Sequence, residues 1–156
     1  MYRDTILLLP YSADTSSKFP LTAYRQLADF RFAIRRFFYF SEQIARQHGL
    51  EPQQHQLLLA IKGLPPETRP TIQALSDRLC QRHHSTVELV NRMAERDLVV
   101  RKHSEQDKRE VLVALTRSGE DILRQLSILH WQELQREAPA LSSVLQEIVT
   151  GKRDDD

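Results

Sequence analysis

The 156-residue chain carries nearly balanced charge, with 22 Lys and Arg against 21 Asp and Glu, and it contains one cysteine, Cys80. This length fits a single domain with a sizeable core, and one thiol excludes an internal disulfide framework and suits a reducing compartment. The apolar run at residues 6–9 is too short for a signal peptide or a membrane span. We therefore expect a cytoplasmic protein without a membrane partner.

The charge is unevenly distributed along the chain. Lys and Arg minus Asp and Glu give +3 for residues 1–70, +2 for residues 71–118 and −4 for residues 119–156. The basic excess is modest, so charge alone does not identify a nucleic-acid binder.

The first strong pattern is a long amphipathic helix. Residues 1–20 mix Pro, Ser, Thr and Asp, which predicts a loose N-terminal tail. From residue 21 to residue 48, apolar side chains such as Leu27 and Ile34 recur every three or four positions, which predicts the helix. Gly49 is expected to end it.

Six aromatic residues lie between positions 30 and 40 of this predicted helix. They bring aromatic surface to more than one side of the helix, and a single layer of core cannot cover them all. We therefore expect a second surface to bury part of them. The alternative is that all six fill the core of their own chain.

Two shorter helices are predicted next. Pro52 fits the first turn of the second helix, and the sequence Gly-Leu-Pro-Pro at residues 63–66 ends it. Thr71 then fits the N-cap of a third helix. Backbone N–H groups at that helix start, together with Thr71 and Gln73, are predicted to face a DNA phosphate. The inner face of the second helix is Leu57, Leu58 and Ile61.

The third helix and the next one form a helix-turn-helix pattern. Two short runs at helical spacing flank a tight polar break at residues 81–84. The second helix of the pair is expected to begin at His84 or Ser85. The apolar positions are Ile72, Leu75 and Leu79 before the break and Val87, Val90, Met93 and Ala94 after it. If these apolar side chains are buried, the opposite face of the helix points outward. Its residues are the candidates for contacts in the major groove: His84, Ser85, Glu88, Asn91 and Arg92.

The two histidines beside Arg82 in the turn have more than one possible role. His83 and His84 can donate to a phosphate or to a base edge. They can also bind a metal ion, but a zinc site needs three or four ligands, and no other Cys or His spacing completes one. We therefore predict DNA contacts there, and no metal.

The other candidates are each open between a DNA contact and a local role. Ser85 and Thr86 can contact DNA or cap the helix. Glu88 can accept from cytosine N4 or remain solvated. Arg92 can reach a phosphate or pair with Glu88, four residues earlier.

A β-hairpin is predicted directly after the helix-turn-helix, which makes a wing. Residues 98–103 and 110–115 are rich in Val and Leu and flank a charged tip. Lys108 and Arg109 in that tip can reach the adjacent minor groove, where negative potential attracts a guanidinium. We interpret Asp107 as a brace that aims Arg109 or Arg101.

The C-terminal part predicts two amphipathic helices. Thr116 fits the N-cap of the first, and Pro139 is expected to begin a separate final helix. Two amphipathic helices beyond a compact unit need a further surface to pack on. The apolar stripe of the first is Ile122, Leu123, Leu126, Leu129 and Leu134.

Together these features resemble the multiple antibiotic resistance regulator (MarR) family of winged-helix transcription factors. The chain departs from the family pattern at Asp97, where Gly is usual, and at Glu88, where a basic or neutral residue is common. The matching residues are Leu75, Leu79, the runs 85–93 and 98–101, Asp107, Arg109, Leu115, Thr116 and Gly119.

The resemblance implies a mainly α (α+β) fold, a winged helix-turn-helix with a two-stranded wing and a helical dimerisation region built from both termini. Within one domain over residues 21–150, residues 21–48 and 117–150 would dimerise and residues 52–116 would bind DNA, while residues 151–156 would fray. The implied dimer interface includes Phe30, Phe37, Phe38, Leu126 and Leu129.

The resemblance also implies a function. It predicts a homodimeric, sequence-specific repressor that binds double-stranded DNA at a pseudo-palindromic operator, uses no cofactor and is released by a small-molecule effector. In the family, the residue at the position of Arg109 enters the minor groove. No catalytic constellation competes with this prediction, since no nucleophile lies beside both a base and an oxyanion donor.

Two alternatives remain at this point. A winged helix can serve as a protein-interaction module, although the exposed Arg and His of this sequence favour DNA. Alternatively, Cys80 can make the protein a redox-responsive regulator. We favour a packed structural thiol at Cys80.

Overall fold

The computed structural model describes residues 19–104 and 110–150. Their elements, in chain order, are α1 (Leu21–Gln47), α2 (Pro52–Lys62), α3 (Ile72–Arg78), α4 (His83–Glu95), β1 (Val99–His103), β2 (Val111–Leu115) and α5 (Arg117–Thr150). This order confirms the predicted winged helix-turn-helix with a two-stranded wing. The expected N-terminal tail, the wing tip and the frayed C-terminus lie largely or wholly outside the described residues.

The chain divides into two compact units. The first, the winged-helix unit, is Glu42–Ile128. The second, the helical unit, has residues 19–41 and 129–150 as its described parts. Helices α1 and α5 each contribute residues to both units.

The hydrophobic core lies in the winged-helix unit. Side chains from α2, α3, α4 and β2 are fully buried there, as the helical and strand periodicities predicted for Leu57, Leu75 and Met93. Leu89, which the sequence interpretation left out of the core, is also buried. The predicted interface residue Leu126 belongs here as well, because its exposure is 0%.

Three helices end in the same left-handed turn. The residues with positive φ are Gly49 (73°), Cys80 (52°) and Asp97 (54°). In each case the next residue donates its N–H to a carbonyl five positions earlier, which is the Schellman motif. These bonds run from Leu50 to Ala45, from Gln81 to Ser76 and from Leu98 to Met93, at 2.9, 3.0 and 3.0 Å.

This geometry corrects the preferred interpretation of the cysteine. Cys80 is exposed and not packed, because the turn that ends α3 directs it away from the core. It also shows why glycine is usual in the family at the position of Asp97. That residue has a positive φ, which glycine adopts at no steric cost. Predicted helix ends at Gly49 and Gly63 are confirmed.

The wing is an antiparallel pair in which Val99 faces Leu115 and His103 faces Val111. A third segment lies along β2. Thr71 forms a bridge with Leu112, and the Val113 N–H donates to the Pro70 carbonyl at 2.9 Å. The residues that precede α3 are therefore joined to the wing by backbone pairing.

The start of α5 is fixed by Thr116, as predicted. Its Oγ1 accepts the Gly119 N–H at 3.0 Å and donates to the Asp97 carbonyl at 2.6 Å. A Cβ on Gly119 would lie 2.0 Å from the Leu98 carbonyl oxygen. The Thr-x-x-Gly spacing thus combines a helix cap with a close approach between helix and strand.

The predicted separate final helix is wrong, because α5 continues from Arg117 to Thr150 with Pro139 inside it. An internal proline costs about 3 kcal/mol through a lost hydrogen bond and a clash with the preceding turn. A full break would instead leave four unpaired backbone groups at each new helix end. Ala138 and Ala140, which flank the proline, are strong helix formers.

The helical unit is held by contacts between its two helical segments. The rings of Phe37 and Phe40 lie edge-on to His130, with centroids 6.4 and 5.9 Å away, and His130 Nε2 is 2.8 Å from Ser41 Oγ. Within α5, the hydrogen bonds that Arg136 donates to Glu133, together with the negative charge of that carboxylate, raise the pKa of Arg136. Among the described residues of this unit none is buried.

No helix in the described part of the chain is long and apolar enough to cross a membrane.

Candidate nucleic-acid interface

The second helix of the helix-turn-helix is α4, which begins at His83 and not at His84 or Ser85 as predicted. Arg82 is its N-cap residue and forms no side-chain capping bond. The capping role considered for Ser85 and Thr86 is therefore not observed, since both residues lie inside the first turns of the helix.

One face of α4 presents polar side chains to solvent. Positions 84, 88, 91 and 92 follow the helical repeat and share this face. The predicted outward orientation holds for all of them, whereas Ser85 is half-buried. The exposed residues at the helix start and along this face are Arg82, His83, His84, Glu88, Asn91 and Arg92.

Thr86 does not belong to this surface, which corrects its assignment as a DNA contact. Its side chain is 0% exposed, and its hydroxyl donates to the Arg82 carbonyl at 3.4 Å. Because that bond satisfies the hydroxyl locally, threonine can occupy a core position. Thr86 lies on the same face as Val90 and Met93, four and seven residues later.

The alternative pairing of Arg92 with Glu88 is not formed in the described part of the chain. Both side chains are exposed on the same face of α4. The guanidinium of Arg92 therefore remains available for a contact outside the helix.

The start of α3 is capped as predicted. Thr71 Oγ1 accepts the Ala74 N–H at 3.2 Å, and Gln73 Nε2 donates to Asp77 Oδ1 at 2.9 Å. Both side chains thus have partners within α3. Their role beside a phosphate stays a prediction.

The wing presents a basic strand. Val99 is buried while the rest of β1 is exposed, including Arg101, Lys102 and His103. The predicted minor-groove residues Lys108 and Arg109 and the predicted brace lie outside the described residues. The pairing of Asp107 with Arg101 or Arg109 therefore stays a prediction.

Two arginines that the sequence interpretation did not single out hold these elements in place. Arg96, at the end of α4, donates from Nη1 to Gln54 Oε1 at 2.7 Å and from Nη2 to the Gly49 carbonyl at 2.8 Å. Gln54 Oε1 also accepts the Glu51 N–H at 3.0 Å. The end of α4 is thereby tied to the connection between α1 and α2.

The second is Arg69, which contacts the two residues that flank the wing tip. Its Nη2 donates to Ser104 Oγ at 2.5 Å, and its Nη1 forms an ion pair with Glu110. The structural role of these two arginines could not be predicted from helical or strand spacing, because their partners lie roughly forty residues away in sequence.

An open polar hollow of about 630 Å³ lies in the winged-helix unit beside α4. Arg92 on the exposed face of α4 and Arg46 near the end of α1 both line it. Its other polar lining residues are Glu42, Glu51, Gln53, Gln54, Gln56 and Gln81. The described residues contain no group of three or more His, Cys, Asp or Glu that could hold a metal ion.

The sequence model of the MarR family matches residues 48–110, which span most of the winged helix. No curated protein sequence matches the chain significantly. Several solved protein structures do match its fold.

Three of the similar structures illustrate the match. AbsC, a MarR family transcriptional regulator from Streptomyces coelicolor, is 19% identical with a TM-score of 0.69, covering 87% of this chain and 93% of that one. Wild-type MarR from E. coli, in its apo form, is 20% identical with a TM-score of 0.62, covering 85% and 98%. The transcriptional repressor CouR, bound to a 23-mer DNA duplex, is 22% identical with a TM-score of 0.62, covering 85% and 99%.

Proposed function

Because the chain belongs to the MarR family of winged-helix transcription regulators, we propose that it is a homodimeric repressor that reads a pseudo-palindromic operator and is released by a small molecule. The protein is a DNA-binding regulator and not an enzyme. The finer points, namely repression, the dimer, the operator and the effector, are proposals that the geometry supports.

The observation that carries the proposal is the exposed polar face of α4. Its side chains are of the types that read base edges in the major groove, where Asn pairs with adenine, Arg with guanine, and Glu accepts from cytosine N4. The opposite face is buried through Leu89, Val90 and Met93. The helix is thus anchored along one side and free to enter a groove with the other.

Dimerisation is supported by the helical unit. It has no buried residue in its described parts, yet it exposes many large apolar side chains, with Trp131 64% and Phe38 49% exposed. Exposed apolar surface on this scale is typical of an interaction site. We place the interface at Phe30, Phe37, Phe38 and Leu129, and we exclude Leu126 because it is buried in the core.

A two-fold dimer would place two α4 helices in major grooves about one helical turn apart. The repressor CouR, a structural relative, is bound to a 23-mer duplex, which is long enough for two such half-sites. Repression is inferred for this chain by likeness to that relative.

Selection of binding sites from random duplexes, followed by footprinting, tests this function. We expect an imperfect palindrome with half-site centres separated by about 10 bp. Protection of a single unrepeated half-site would contradict the dimeric arrangement. Binding with no salt dependence would instead favour a protein-interaction module, since phosphate contacts release counterions.

The hollow beside α4 is the site we propose for the effector. Arginine and glutamine side chains around it suit a small polar molecule that carries hydrogen-bond acceptors. Arg92 belongs both to the hollow and to the exposed face of α4, so an occupant would compete with DNA for it. Repeating the site selection with candidate molecules, on wild-type protein and on Arg46→Ala, tests this. Release that is equally strong in the variant would place the effector elsewhere.

A second candidate function is redox regulation. The exposure of Cys80 favours it over the packed thiol expected from the sequence, because oxidants reach exposed thiols first. Operator binding measured with and without peroxide, in wild-type protein and in Cys80→Ser, decides this. An effect of peroxide that persists in the variant would exclude Cys80.

A further inference from the structure

At the tip end of the wing strands, beyond the His103–Val111 pair, a residue from the loop before α3 meets the two residues that flank the tip. Arg69 comes from the loop before α3, Ser104 follows β1 and Glu110 precedes β2. The Ser104 N–H donates to the Glu110 carbonyl at 3.0 Å, which closes the hairpin. Residues 105–109, which contain Lys108 and Arg109, link Ser104 to Glu110 in sequence.

Arg69 holds both of the residues that flank this link. One guanidinium nitrogen donates to Ser104 Oγ and the other forms an ion pair with the Glu110 carboxylate. The contact with Glu110 is a close charge contact and not an aligned hydrogen bond. Ser104 is 3% exposed, so one end of this contact is shielded from water.

The backbone beside Arg69 connects the same point to the helix-turn-helix. Pro70 accepts the Val113 N–H of β2, and Thr71 both pairs with Leu112 and caps α3. A planar guanidinium with donors in a fixed fork is suited to hold two partners in one geometry. The far end of the wing strands is therefore tied to the segment that precedes α3 where Arg69 lies.

We propose that Arg69 is a positioning residue for the wing, acting through Glu110 and Ser104 to hold the tip end of the hairpin against the segment that precedes α3, so that the wing reaches DNA. This inference rests on the proposed DNA-binding function. Arg69 itself is assigned no contact with DNA.

The variant Glu110→Gln distinguishes the proposed positioning of the wing from a general effect of charge on DNA binding. It keeps the size of the side chain and removes one negative charge from the DNA-binding side of the protein. Electrostatics alone predicts equal or tighter binding to any duplex. Loss of the clamp predicts weaker operator binding, by between about threefold and tenfold, with a smaller salt slope.

Two further variants complete the test. Arg69→Gln should weaken binding at least as much as Glu110→Gln, because it removes the same ion pair together with one positive charge and alters the contact with Ser104. Glu95→Gln is the matched control, since Glu95 is an exposed carboxylate on α4 without an ion-pair partner in the described part of the chain. Its operator affinity should stay level or rise. Circular dichroism at the assay temperature checks that all three variants are folded.

Amide hydrogen exchange on the free protein supplies a readout that does not depend on DNA. In Glu110→Gln the Ser104 and Val113 amides should exchange faster, while those of α4 should not change. Unchanged or tighter operator binding by Glu110→Gln would overturn the inference, as would unchanged exchange at Ser104. Failure of the wild-type protein to bind any duplex would overturn the proposed function instead, and exchange would still decide whether Arg69 holds the hairpin.

Discussion

Arg96 donates a hydrogen bond to Gln54 at 2.7 Å and thereby joins the C-terminal end of α4 to the first turn of α2. Gln54 is almost completely buried, so it depends on protein partners. The same guanidinium binds the Gly49 carbonyl at the end of α1. Three helices of the winged-helix unit are thus held by one side chain.

Removal of this side chain should destabilise the protein. Arg96→Ala removes one of the two donors to Gln54 Oε1 and the donor to the Gly49 carbonyl, and for two lost hydrogen bonds we expect a loss of about 1–3 kcal/mol in the free energy of unfolding. Urea denaturation measures it. Arg92→Ala on the same helix is the control, because exposed residues without partners change stability by less than about 0.5 kcal/mol. Equal effects of the two changes would refute the role of Arg96.

Gly119→Ala should also destabilise the protein, although alanine is the better helix former by about 0.5–1 kcal/mol. The new Cβ would overlap the Leu98 carbonyl oxygen, and a backbone shift of that kind costs about 1–3 kcal/mol. Thermal unfolding should show a lower midpoint. The neighbouring exposed Ser118→Ala should have almost none of this effect, and a stable Gly119→Ala would mean that α5 and β1 can separate at little cost.

At the three residues with positive φ that follow α1, α3 and α4, introducing a glycine should stabilise the protein and removing one should destabilise it. Asp97→Gly and Cys80→Gly should raise the free energy of unfolding by about 0.5–1 kcal/mol each, because glycine adopts positive φ without strain. Gly49→Ala should lower it by a similar amount, and no atom lies within 4 Å of the added Cβ to confuse the result. Chemical denaturation compares all three. If Asp97→Gly is destabilised instead, interactions of the aspartate side chain stabilise the protein by more than its strained backbone conformation destabilises it.

Substitutions in α4 and in the wing should change DNA binding in different ways. Arg109→Ala should weaken binding to all sequences and reduce the salt slope of log K by about one unit per lost phosphate contact. Glu88→Ala should instead relax discrimination at one base pair by about 1–3 kcal/mol and leave non-specific binding nearly intact. Titrations of specific and scrambled duplexes at several salt concentrations measure both quantities. If Arg109→Ala changes neither, the wing does not touch DNA.

Phe38→Asp should weaken self-association before it affects folding of the winged-helix unit, because Phe38 is half exposed on α1. Sedimentation equilibrium measures the association. Leu126→Ala is the contrasting variant, since it empties a core position and should cost about 2–5 kcal/mol of stability. A wild-type protein that is monomeric at micromolar concentration would refute the dimer.

Local patterns in the sequence were sufficient for most of the fold. Periodicity placed Leu75, Val90 and Met93 in the core, and side-chain chemistry placed Thr71 and Thr116 at helix starts, because both signals act within a few residues. Thr86 was assigned to the wrong side of α4, since a polar residue that satisfies its hydroxyl locally leaves no trace in a hydrophobic pattern.

The features that were not predicted depend on contacts between residues far apart in the sequence or on another chain, and local sequence patterns do not report such contacts. An apolar stripe shows that Leu126 and Leu129 need cover but not whether the same chain supplies it. The partners of Arg69 and Arg96 are set by the tertiary fold. Pro139 was expected to break a helix because the local cost was counted without the larger cost of two new helix ends.

Every buried residue in the described ranges lies between positions 45 and 126, so the proposed dimer would make the stability of this protein depend on its concentration. By mass action, a partner that covers the helical unit contributes stability only while it is bound. On dilution, amide protection should decline first in residues 21–41 and 129–150, while the winged-helix unit keeps its own. The cellular abundance of such a protein would then set how much of each molecule is ordered.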